Sequence, residues 1–117
     1  MPKEKKVTVI KKDEAPRERL EGGGEVQYLL NLARTGIDLT LCTGRLEPGA
    51  GHHWHTHKED EIVYVLEGEG TMSFQDREDI RYKTGTAMAI PRGTLHQNIN
   101  TGNREVHVVA VFSPSLP

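Results

Sequence analysis

The stretch His52-His53-Trp54-His55-Thr56-His57-Lys58-Glu59-Asp60-Glu61 holds four of the chain's six histidines. Imidazole is the commonest metal-ligating side chain and carries little charge at neutral pH, so solubility alone does not account for this density. In a strand, residues two apart project to one face. His55 and His57 then point the same way, and His53 joins them if the strand is regular. The pair His53 and His55 is as well spaced as the pair His55 and His57. Glu61 follows after three residues, enough for a bend into a next strand. A carboxylate beside two imidazoles suits a borderline divalent ion. The bland alternative, a solvated polar loop, fits Lys58-Glu59-Asp60 better than it fits the histidines.

A second stretch runs from Gly85 to Asn100. Pro91 and Gly93 make a turn, and His96 begins the strand that follows. Taken alone, His96 reads as a satisfied structural histidine. Beside the first cluster it becomes a candidate ligand.

Together the two stretches resemble the cupin superfamily. The first family motif is met by Gly49, His55, His57, Glu61 and Gly68, and the second by Gly85, Pro91, Gly93, His96 and Asn100. Every defining position matches, and this register selects His55 and His57 over the pair with His53. The short separation between the motifs resembles small single-domain cupins. The resemblance implies an all-β fold, an antiparallel jelly-roll or double-stranded β-helix barrel. It also implies a metal held by His55, His57, Glu61 and His96, and a homodimer. In that dimer, residues 1–24 and an apolar outer face on Ile62, Tyr64 and Leu66 would meet the neighbour.

Three neutral nitrogens and one carboxylate leave a divalent ion with net positive charge. In six-coordination two positions stay open, which suits Fe, Mn, Ni or Co, and a mixed His and carboxylate set also admits Zn. One such ion per chain can polarise a carbonyl, acidify a water or bind dioxygen. The leading expectation is therefore a metal-dependent enzyme on a small polar substrate: a dioxygenase, an isomerase or a lyase. The alternative is a barrel that binds a sugar, an effector or the metal without turnover.

Two further histidines are candidate acids or bases. His53 shares the inward face of a regular strand, and His107 shares a face with Val109 and Val111 that can be the cavity. Tyr28, Gln27 and Arg45 are possible substrate contacts through their strands. Cys42 reads as a small buried hydrophobe, and Asn100 as a loop-bonding structural residue.

The elements that must hold these groups read as strands. At 117 residues the chain suits one domain, with an arm over 1–24 and a barrel over 25–117. Short apolar or alternating runs at 25–31, 38–46, 61–66, 71–74, 86–90 and 105–112 are separated by Gly and Pro turns. A short strand is expected at Val7–Ile10 and a charged turn at Asp76–Asp79. The net charge of −2 gives no reason to expect nucleic acid or a membrane as partner. One cysteine, a charged start without an apolar stretch, and no run near the ~20 residues of a membrane span point to the cytoplasm.

Overall fold

A computed structural model describes residues 4–20 and 22–117. Ten strands lie among them: β1 (Arg17–Arg19), β2 (Gly24–Leu30), β3 (Thr40–Leu46), β4 (Gly51–His55), β5 (Asp60–Glu67), β6 (Glu69–Phe74), β7 (Arg77–Lys83), β8 (Ala87–Ile90), β9 (His96–Ile99) and β10 (Val106–Ser113). They form a six-stranded sheet ordered β1-β2-β3-β10-β5-β8 and a four-stranded sheet ordered β4-β9-β6-β7. All pairings are antiparallel. The expected jelly roll is the architecture found.

Alternation along the strands builds the core. Val63 and Val65 of β5 point inward between exposed Ile62, Tyr64 and Leu66. Leu46, Met72, Tyr82, Ile90, Val106 and Ala110 complete the buried cluster from both sheets. A sheet with one wet face needs an apolar residue only at every second position, so a modest hydrophobic content suffices. Each large side chain so buried contributes about 1.5–3 kcal/mol.

Two local expectations change. Asp76–Asp79 is not a turn: the turn is at Gln75–Asp76, and the charges continue as β7. That strand is an edge of the smaller sheet, and among its residues Ile80 and Tyr82 are the ones not exposed. Its charges are therefore a solvent-facing row. Val7–Ile10 forms no strand, and its Val7 and Val9 are exposed. Between β2 and β3 a short helix, α1 (Leu32–Thr35), is capped by Asn31, whose side chain accepts from the Arg34 amide.

Of the arm, residues 1–3 and 21 lie outside the described residues. The remainder lies against the barrel through β1 on β2 and through the Gln27 amide, which donates to the Lys12 carbonyl at 2.7 Å. No helix among the described residues is long and apolar enough to cross a membrane.

Candidate metal centre

The barrel brings His55, His57 and His96 together from three pieces of chain. His55 ends β4 and faces His96, the first residue of β9, across an antiparallel pair. His57 lies past the end of β4, in the bend that leads to β5. It joins the other two because the chain turns there, not because one strand continues. Glu61 is the second residue of β5. The loop before His96 is fastened to this bend, since the Gly93 amide donates to the His57 carbonyl at 2.9 Å. Gly93 has φ +79°, a left-handed conformation that favours glycine.

One ring nitrogen from each of the three histidines lies within 4.8 Å of the others. The Nδ1 atoms are engaged in the same way. That of His55 meets the His53 carbonyl at 2.6 Å, that of His57 the Glu59 carbonyl at 2.8 Å, and that of His96 the Thr94 carbonyl at 2.7 Å. A carbonyl only accepts, so each Nδ1 carries the proton and each Nε2 offers a lone pair. These carbonyls fix the tautomer and ring orientation that a metal ligand needs.

Glu61 lies beside the three histidines. Its Oε1 lies 3.0 Å from His57 Nε2 and 3.9 Å from His96 Nε2. A carboxylate oxygen and an imidazole lone pair repel at 3.0 Å unless a proton or a cation lies between them. Two donors each about 2.1 Å from one ion, at right angles, sit about 3.0 Å apart. The residues present therefore fit a divalent ion by donor chemistry and by spacing.

Burial raises the site's electrostatic stakes. It pushes the Glu61 carboxyl above its usual range, a shift that charged imidazoles at His57 and His55 would offset. Burial pushes the His96 imidazole down, partly offset by its bond to the Thr94 carbonyl, so it stays neutral and able to ligate. The ring of Phe112 packs edge-on against His57 at 5.4 Å and closes one side.

The expected facing of two histidines does not hold. His53 is exposed and outside the cluster. The pairing of β4 with β9 slips by one residue between His52 and His55: His52 faces Asn98, whereas His55 faces His96. This bulge inverts the alternation, so His52 and His55 both turn inward while His53 and Trp54 are exposed. Gly51, just before, brings the backbone so close to β9 that a Cβ would lie 1.8 Å from the Asn98 carbonyl oxygen.

His107 also lies away from the cluster. Val106 and Ala110 of β10 are buried, so His107, Val109 and Val111 occupy the outer face. There His107 pairs with Glu105 at 3.2 Å beside Arg45, which is itself bound to Glu105.

Of the remaining candidates, Tyr28 and Cys42 line the inner cavity, Gln27 is buried under the arm, and Arg45 is on the outer sheet face. Burial pushes the Cys42 thiol up to about 12, consistent with a packed side chain. His52 is the inward residue that alternation missed, and no residue type in β4 announces the bulge. Asn100 has the structural role expected, its amide donating to the carbonyls of Leu46 and Arg104.

Comparison with known proteins places this geometry. Residues 43–112 match the family described as "Cupin domain". The chain is 31% identical over 113 residues to the oxalate-binding protein of Thermotoga maritima, covering 89% of this chain and 92% of that one. It is 40% identical over 62 residues to the uncharacterized protein YdbB of Bacillus subtilis, covering 52% of this chain and spanning 50% of YdbB's length. A crystal structure from Thermotoga maritima, described as a predicted oxalate decarboxylase, superposes with a TM-score of 0.78 at 28% identity over 90% of this chain and 97% of that one. With two facing antiparallel sheets, three converging histidines and this family match, the chain belongs to the cupin family.

Proposed function

We propose that this protein binds one divalent metal ion per chain through His55, His57, His96 and Glu61, and that the loaded site acts on a small oxygen-bearing acid. The observation that carries the reading is the shared tautomer of the three histidines, each Nδ1 tied to a backbone carbonyl and each Nε2 left to donate. When bound, the metal supplies a Lewis-acidic position for a substrate oxygen. The chain supplies the rest. Phe112, Val26, Val63 and Val108 give the cavity an apolar lining, and Glu61 offsets part of the charge. The oxalate-binding relative supports a short carboxylic acid as ligand.

The second reading is binding without turnover, and that relative's name favours it as well. One experiment separates them. Protein loaded in turn with Mn, Fe, Ni, Co and Zn is given oxalate, and binding is followed by calorimetry and product by chromatography. Binding with product supports the enzyme, and binding without product supports the carrier or sensor. A loaded protein that binds no small acid sinks both.

We further propose a homodimer and a cytoplasmic location. Ile62, Tyr64 and Leu66 are 60%, 45% and 47% exposed on one sheet face. Val109 and Val111 lie beside Tyr64 and Ile62 in register, extending the apolar patch. The single free, buried cysteine suits a reducing compartment.

A further inference from the structure

Beside Glu61, between the two sheets, lies a cavity of about 100 Å³. At about 30 Å³ per water this is room for roughly three waters, so it admits only a short molecule. Its walls are mostly apolar, from Val26, Val63, Val108, Ala110 and Phe112. Against that background the polar groups facing it stand out. Glu61 belongs to the metal site. The Cys42 thiol is a weak donor at best. The remaining groups are Thr43 and Tyr28 and the facing pair His52 and Asn98.

His52 and Asn98 have bonding capacity that the protein does not use. The Asn98 Oδ1 accepts from the buried Tyr82 hydroxyl at 2.5 Å, which orients the amide and leaves its NH₂ without a partner among the described residues. The His52 ring touches His55, with centroids 6.0 Å apart, and no hydrogen bond to it is found among the described residues. Among the described residues no sealed-off side-chain nitrogen or oxygen is unpaired, so the His52 nitrogens keep solvent access, and His52 lines the cavity. Polar groups in a mostly apolar chamber are held there at a desolvation penalty unless water or a ligand meets them. His52 reaches the cavity only through the bulge in β4.

We propose that His52, with Asn98, is the specificity-determining anchor for the far end of a two-ended oxyacid whose near end meets the metal site. This rests on the small-acid reading given above. The class of ligand is a short acid with a second oxygen function, a carboxylate, keto or hydroxyl group. A monofunctional acid would leave His52 and Asn98 unpaired, and a longer one would not fit between the sheets. Discrimination of this kind comes from leaving polar groups of the site unmet.

The test compares oxalate with acetate on zinc-loaded protein by calorimetry, with zinc content measured on every sample. Wild-type protein is expected to favour oxalate strongly. His52→Leu is expected to keep its zinc and its acetate affinity while the oxalate-to-acetate preference falls about tenfold, one hydrogen bond to a charged group. His52→Gln, which keeps a polar end, is expected to recover most of it. In wild-type protein the imidazole nitrogen resonances of His52 should shift with oxalate and not with acetate, a measurement that needs no variant to fold. An unchanged preference in His52→Leu, or no shift of His52, overturns the anchor while leaving the small-acid reading intact. Loss of zinc in His52→Leu makes His52 a metal ligand and also overturns it. Wild-type protein that binds neither acid overturns the underlying reading itself.

Discussion

Asp60 grips Arg92 at two levels. Its Oδ1 accepts from the Arg92 amide at 2.9 Å, and its Oδ2 from the guanidinium at 3.0 Å. The contact ties the turn that precedes His96 to the strand that carries Glu61. The same pairing holds the Asp60 carboxyl below its usual range. Both side chains are about half exposed, so the global stability at stake is small. The alignment of two metal-site segments is what the contact controls.

Asp60→Ala is therefore expected to leave the melting temperature nearly unchanged and to weaken metal binding by roughly two- to tenfold. That is less than the 10–100-fold typical of removing a direct partner of a ligand. Competition with a chromogenic chelator measures it. Unchanged affinity would mean that Gly93 and the strands hold the site without Asp60.

His55→Ala and His96→Ala are each expected to drop metal content well below one ion per chain. Elemental analysis of gently purified protein reads this directly. Near-full occupancy in both variants would refute the ligand assignment. Glu61→Gln should retain some metal, because three imidazoles remain, while losing affinity.

Removing the metal should soften the barrel without unfolding it. An ion at 100 times its dissociation constant stabilises the native state by about 2.7 kcal/mol. For a domain of this size that is a fall in Tm of roughly 10 °C on adding a chelator. Circular dichroism should keep its β signature below the transition. A Tm that does not respond to chelator would argue against a native-state metal.

Alkaline pH should destabilise the fold through Cys42 and Tyr82. Burial pushes both up to about 12. Between pH 9 and 12 the unfolded chain releases these protons before the native one does, so the unfolded state binds fewer protons and stability falls as pH rises. Below about pH 8 neither group contributes appreciably to the slope. Urea titrations from pH 8 to 11 should show the decline, and Cys42→Ala should flatten its lower part. A pH-independent midpoint in that range would contradict the burial of both groups.

Tyr64→Glu places a charge in the middle of the exposed patch on β5 and should convert a dimer to a monomer at micromolar concentration by light scattering. Wild-type protein that scatters as one chain would refute the dimer.

How much of this was legible in the sequence depended on the kind of signal. Gly93, expected at a turn, has positive φ, as do the motif glycines Gly49, Gly68 and Gly85. The spacing of His55, His57, Glu61 and His96 was readable because turns with fixed chemistry separate them. Facing was harder, because alternation assumes an unbroken pleat. In β4 one slipped pair turned His52 inward and His53 outward, and nothing in the local residue types marks it. His107 failed differently: the strand was recognised, but its apolar neighbours Val109 and Val111 lie on the outer face, where they resemble a core. The edge strand β7 was hidden because its outward charges read as a turn.

The bulge in β4 also divides the strand into two separately adjustable parts. Positions on either side of it answer to different neighbours, His52 to Asn98 and His55 to His96. A substitution at the first position can thus reshape the cavity without altering the register that seats His55 opposite His96. In a barrel built this way, the cavity lining and the histidine cluster can vary independently.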